Sequence, residues 1–123
     1  MIFKILIVDD DYINRRLLVS LLKKELYQIE TIESVDGGDA LHKCEEHPDL
    51  QLILLDIEMP RMDGVEFIRQ YKASYPLSTT PIIAVSSNDL RAKEILSTGA
   101  DSFLIKPVTE EKLLMAIRES QKR

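Results

Sequence analysis

Four separated stretches of this chain carry residues able to do chemistry. An acidic run, Asp9-Asp10-Asp11, follows the apolar "ILIV". Asp56 closes the nearly all-apolar "LQLILLD", and Glu58 stands two residues on. Ser86-Ser87 ends "TPIIAVSS", and Lys106-Pro107 ends "DSFLIKP". Three or more carboxylates gathered in one small site repel one another and raise at least one pKa unless something compensates. A hard divalent cation does so: Mg²⁺ takes oxygen ligands, accepts one or two carboxylates, and keeps several waters or phosphate oxygens. Lys106 adds a positive charge, and the Ser86 hydroxyl can donate to an anionic oxygen. A carboxylate nucleophile, a metal nest, a cation and a hydroxyl donor are the parts that phosphoryl transfer to an aspartate needs.

Each residue also has a plainer structural use. An acidic run after a strand can cap a helix, and an aspartate at a strand end can begin a turn. Ser86 could cap the helix that follows it, with Ser87 the better placed of the two, and Lys106 could be a solvated loop charge. Asp63 is assigned to capping alone. The chemistry depends on whether the fold brings the four stretches together.

The elements alternate. "IFKILIV" predicts a strand, and "YINRRLLVSLLKKEL" predicts a helix with apolar residues at 13, 17, 18, 21 and 22. "IETIES" is a weak second strand. "DGGDALHKCEEH" is a helix capped by Asp36, with Pro48 beyond its end. "LQLILLD" suits a central strand covered on both faces. "DGVEFIRQYKASY" begins with Asp63 as N-cap and Glu66 three residues on, a variant of the capping box. "TPIIAVS" is a fourth strand, and "NDLRAKEILSTG" a fourth helix closed by Gly99. "DSFLI" is a short fifth strand. "TEEKLLMAIRES" is a last helix capped by Thr109, with Val108 placed to staple against Leu113. Five strands alternating with five helices imply an α/β fold, with a parallel sheet and helices on both faces. Ligands of such sheets bind beyond the carboxyl ends of the strands, and the four chemical stretches all lie at such ends.

Composition narrows the class. The 123 residues suit one domain, and 45% are apolar, as in a globular protein. No apolar run approaches the roughly 20 residues of a membrane span, and "MIFKILIVDDD" lacks the basic start and cleavage site of a signal peptide. Cys44 is the single cysteine, which excludes an intrachain disulfide and fits a reducing compartment. A net charge of −5 argues against a grip on nucleic acid. The basic end "RESQKR" reads as the last turn of a helix, where cations suit the dipole.

In that order, "ILIVDDD", "LILLDIEMPRMDG", "PIIAVSS" and "GADSFLIKP" resemble the receiver domain of two-component response regulators, the chemotaxis-regulator-like family. The resemblance spans essentially the whole chain, as a single domain over 1–123. It implies a flavodoxin-like doubly wound sheet in the order 2-1-3-4-5, an order for which the chemotaxis receiver is a standard example. It implies that Asp56 accepts a phosphoryl group from a histidine kinase or a histidine phosphotransfer protein. Asp9, Asp10, Asp56 and the main-chain carbonyl of Glu58 would hold Mg²⁺, with Mn²⁺ as an alternative ion. Ser86 and Lys106 would contact the phosphoryl group, and Lys106-Pro107 would be a cis peptide. The resemblance further implies a cytoplasmic signalling protein rather than a conventional enzyme, one that promotes its own phosphorylation and dephosphorylation. It would control a downstream output protein or domain, with no direct nucleic-acid or membrane contact. A phosphorylation-linked homodimer through helix four, strand five and helix five is an open alternative. Met1 just before the first strand favours a stand-alone or N-terminal receiver.

Two positions depart from the commonest pattern. Ser86 stands where threonine is more frequent, and Phe103 stands at the switch aromatic, where tyrosine is common. Phenylalanine can still swing between buried and exposed rotamers, without a hydroxyl to donate. The side chains of Glu58 and Asn88 flank the site and are candidates for steering the water that hydrolyses an acyl phosphate. The rival readings fit less well. A flavodoxin-like FMN carrier needs a Ser/Thr/Gly-rich phosphate loop where this chain has "DDDYIN". A metal-dependent aspartyl-phosphate phosphatase needs a D-x-D nucleophile after the first strand and room for a cap. A degenerate receiver, acting as a non-phosphorylated binding module, would lack some of the residues that are all present here.

Overall fold

Phe3–Val8, a run broken only by Lys4, forms the first strand, β1, and its alternation decides which layer each side chain enters. Leu6 and Val8 enter one buried cluster, whereas Ile5 and Ile7 enter the other. The same split recurs along β3, Leu52–Asp56: Ile53 and Leu55 face one layer, Leu52 and Leu54 the other. A strand apolar on both faces must be covered on both. The computed structural model describes residues 2–26 and 28–122 and shows the covering helices. Met1 and Arg123, the limits of the expected 1–123 domain, lie outside the described residues.

After β1 come α1 (Tyr12–Glu25), β2 (Ile29–Ser34), α2 (Gly37–Glu46), β3, α3 (Gly64–Ser74) and β4 (Ile82–Ser86). A 3₁₀ turn at Asp89–Arg91 leads into α4 (Ala92–Thr98), then β5 (Ser102–Ile105) and α5 (Glu110–Ser120). All strand pairs are parallel, in the order β2-β1-β3-β4-β5. One cluster gathers α2, α3 and α4 residues, among them Cys44, Phe67, Ile68 and Ile95. The other gathers Val19 and Leu22 of α1 with Leu113 and Ile117 of α5. This is the doubly wound architecture expected, in the expected order.

Caps fall where the side chains allow. Asp36 accepts from Asp39 N–H, Asp63 from Val65 and Glu66 N–H, and Thr109 from Lys112 N–H. Gly99 closes α4 at φ 132°, a backbone region that disfavours a Cβ. Val108 packs into the cluster that buries Leu113.

Four expectations need correction. Glu66 does not complete a capping box; its carboxylate meets Gln70 and Arg69 instead. The fourth helix is shorter than its sequence pattern, because its first turn is 3₁₀. The 3₁₀ turn is capped by Asn88, whose side chain accepts from Leu90 N–H, and not by Ser87, whose N–H and hydroxyl both turn to Glu58, and α4 itself starts after Arg91 with no side-chain cap. On α1, Ile13 and Leu17 are 69% and 58% exposed, and the buried line is Arg15, Val19 and Leu22. Arg15 can be buried because its guanidinium finds Glu33 Oε1 and the Asp9 carbonyl, each at 2.8 Å.

Candidate functional site

Strand register brings the chemical residues level. Val8 lies opposite Leu55, so the next residues of each strand, Asp9 and Asp56, come side by side. Asp56 lies opposite Val85, and Ser86 opposite Ile105, so Ser86 and Lys106 follow one residue further out. β1 and β3 are neighbours whose connections run to opposite sides of the sheet, and the crevice beyond them is the switch point of the topology.

Asp9, Asp10 and Asp56 each offer a carboxylate oxygen, and these lie within 4.8 Å of one another. Asp9 and Asp56 are buried, 2% and 4% exposed, while Asp10 is exposed. Asp11 turns away to cap α1, accepting from Ile13 and Asn14 N–H. Lys106 Nζ stands 3.0 Å from Asp56 Oδ1 across the site. The contact is an ion pair without an aligned donor, so the buried Oδ1 has charge compensation but no hydrogen bond. The Lys106-Pro107 peptide is cis, as the resemblance implied.

The electrostatics follow from burial. Desolvation pushes the Asp56 carboxyl up to about 6; Lys106 opposes the shift, and Asp9 and Glu58 add to it. Asp9 is also pushed up, chiefly by burial, against the pull of the Asp11 N–H and Lys106. Burial alone would lower the Lys106 pKa, but Asp56, Asp9 and Glu58 together raise it. Two buried carboxylates, a third at the rim and an oxygen lacking a donor make a set of hard oxygen ligands short of positive charge. That donor set fits a divalent cation such as Mg²⁺.

Residues 5–118 match the model of the response regulator receiver domain. The chain belongs to that family. The receiver is 38% identical over 119 residues to Protein PilG of Pseudomonas aeruginosa, covering 94% of this chain and 84% of that protein. It is 31% identical over 106 residues to two-component response regulator ORR7 of Oryza sativa subsp. japonica, covering 85% of this chain but spanning only 50% of that relative. Among solved structures it is similar to the CheX-CheY-BeF3-Mg complex of Borrelia burgdorferi, with TM-score 0.88 at 27% identity over 98% of this chain and 90% of that chain.

In this receiver the Ser86 hydroxyl is not open to the crevice. It donates to Glu58 Oε2 at 2.7 Å and accepts from Asn88 N–H at 3.0 Å. The Ser87 N–H donates to Glu58 Oε1 at 2.9 Å. Glu58, considered as a guide for water, thus has its carboxylate committed to the β4 loop, and the Asn88 side chain is committed to its cap. Phe103 is half-buried and packs against the cluster under α4.

Sequence reasoning missed two residues here. Arg91 reaches Asp63 Oδ2 at 3.0 Å, Glu94 Oε1 at 3.0 Å and Glu58 Oε2 at 3.6 Å, so it joins α3, α4 and the turn after Asp56. Its place within "NDLRAKE" looks like that of any solvated helix charge, and nothing local marks it. Arg15 holds the carbonyl of Asp9, and an arginine amid apolar helix positions was the one available signal.

Proposed function

We propose that this receiver is a phosphorylation switch in which Asp56 accepts a phosphoryl group from the phosphohistidine of a histidine kinase or phosphotransfer protein. The observation that carries this reading is Asp56 itself: a buried carboxylate at a strand end, beside Asp9 and paired to Lys106, with one oxygen lacking a hydrogen bond. With its pKa near 6 the carboxylate is mostly ionised at pH 7, as a nucleophile must be. A carboxylate oxygen attacks phosphorus, the P–N bond to the imidazole breaks, and an acyl phosphate forms on Asp56. Lys106 supports the added negative charge. Asp9, Asp10, Asp56 and the main-chain carbonyl of Glu58 would hold Mg²⁺, or Mn²⁺ in its place, which supplies positive charge to the phosphoryl oxygens. The Ser86 hydroxyl then turns to the phosphoryl group, Phe103 moves with the β4 loop, and the face of α4, β5 and α5 presented to an output partner changes. The protein works in the cytoplasm, where its unpaired Cys44 stays reduced.

Intact mass after treatment with acetyl phosphate and Mg²⁺, with and without EDTA, tests this. A Mg²⁺-dependent gain of one phosphoryl group that disappears in Asp56→Asn is expected. Labelling retained in that variant would overturn the site. No specific observation favours a non-phosphorylated binding module.

A further inference from the structure

The Ser86 hydroxyl has one proton, and it points at Glu58. The next donor along the loop, the Ser87 N–H, points at the other oxygen of the same carboxylate. A carboxylate on two adjacent donors is a two-point anion seat. An anion on Asp56 would draw on this same loop, because Ser86 ends the strand beside β3. Arg91 adds a cation 3.6 Å from Glu58 Oε2 and continues to Asp63 and Glu94. No other anionic side chain contacts the Ser86 hydroxyl among the described residues.

We infer that the Glu58 side chain is an internal stand-in for the phosphoryl group: it occupies the loop donors of the unphosphorylated protein, and a phosphoryl group on Asp56 must displace it to reach Ser86. Glu58 is therefore a positioning residue that sets how readily Asp56 is loaded. Its release also alters the anion set held by Arg91, the last residue of the 3₁₀ turn that leads into α4, so loading and movement of α4 are tied through one side chain. The inference rests on the proposed loading of Asp56.

The test is a titration of the intact protein with beryllium fluoride and Mg²⁺, followed in ¹H–¹⁵N correlation spectra. Beryllium trifluoride is a phosphoryl-shaped anion, and it reads equilibrium occupancy free of hydrolysis. Glu58→Asp keeps the charge but is one methylene shorter, so it cannot span both donors; the dispersed spectrum reports that the fold is kept. Before any addition, the Ser87 amide proton is expected to move upfield in Glu58→Asp. The half-saturating concentration of beryllium fluoride is expected to fall about tenfold, the equivalent of one charge-assisted hydrogen bond at its weak end. A purely structural role predicts the opposite sign, because damage to the loop weakens loading. An unchanged or raised half-saturation in the variant, with wild type still binding, would overturn the inference and leave the proposed function standing. Beryllium fluoride binding to neither protein would overturn both.

Discussion

Asp56→Asn should stabilise this protein in the absence of divalent ions, although it removes the residue proposed to receive the phosphoryl group. The folded carboxyl has a pKa of about 6 against an ordinary value of 3.8. The folded state therefore binds the proton more tightly than the unfolded chain does. Between about pH 4 and 6 the unfolded carboxyl has ionised while the folded one has not, so stability falls as pH rises through that window. A difference of about two units at 1.36 kcal/mol each amounts to about 3 kcal/mol lost by neutral pH. The attraction of Lys106 is already inside that figure, since it opposes the shift. Asparagine resembles the protonated carboxyl in size and cannot ionise. In urea unfolding with EDTA, the variant should exceed wild type by about 2–3 kcal/mol at pH 7, by roughly half as much at pH 5, and by little at pH 4. Adding Mg²⁺ should then raise wild type by about 2.7 kcal/mol at a concentration one hundred times its dissociation constant, which closes the gap at pH 7. A variant less stable than wild type at pH 7 in EDTA, or a difference that ignores pH, would refute the assignment of Asp56 as a carboxylate held ionised against its burial.

Two further substitutions probe what positions the site. A Cβ on Gly64 would lie 2.8 Å from the Ile57 Cα and 3.1 Å from the Asp56 carbonyl, so Gly64→Ala should cost about 1–3 kcal/mol in chemical unfolding and slow Asp56 labelling by acetyl phosphate. Arg15→Ala removes the donor to the buried Asp9 carbonyl and one of the two arginines on Glu33, whose other oxygen stays paired with Arg16 at 2.7 Å, and should cost about 1–3 kcal/mol, a loss visible as a lowered urea midpoint with an unchanged slope.

That the sheet is parallel and covered on both faces was legible because β1, β3 and β4 are apolar on both faces and separated by helical spacings, while its strand order came from the family resemblance. The gathering of Asp9, Asp56, Ser86 and Lys106 followed from the topology, since each stands at or just past the carboxyl end of a strand. What escaped was decided by side-chain geometry across elements. Ser87 and Asn88 are both plausible caps by type; Glu58, 29 residues before Ser87, takes the Ser87 donors and leaves the cap of the 3₁₀ turn to Asn88. The burial of Arg15 in place of Ile13 depends on Glu33 and the Asp9 carbonyl being within reach, and no helical periodicity encodes that. Local pattern reports which face is apolar; it does not report a polar group whose partners lie on other strands.

The switch reading also has an energetic requirement. Moving a two-state equilibrium from 1:99 to 99:1 takes about 5.5 kcal/mol of differential stabilisation. A phosphoryl group that gained the Ser86 hydroxyl from solvent would collect that contact whole, at roughly 1.5–3 kcal/mol for a charge-assisted bond. Here the hydroxyl is already satisfied by a carboxylate at 2.7 Å, so the exchange yields only the difference between two anionic acceptors. The larger share must come from contacts that the resting protein lacks. The Asp56 oxygen without an aligned donor is where such a contact is available, and the Lys106 ammonium, already paired with that carboxylate at 3.0 Å, gains from the added negative charge of a phosphoryl group rather than from a change of partner. A receiver built this way should respond steeply to the metal and lysine side of its site and weakly to the serine side. Lys106→Met should therefore cut beryllium fluoride occupancy far more than Ser86→Ala does, and comparable losses in the two variants would contradict the resting contact between Ser86 and Glu58 as the reason.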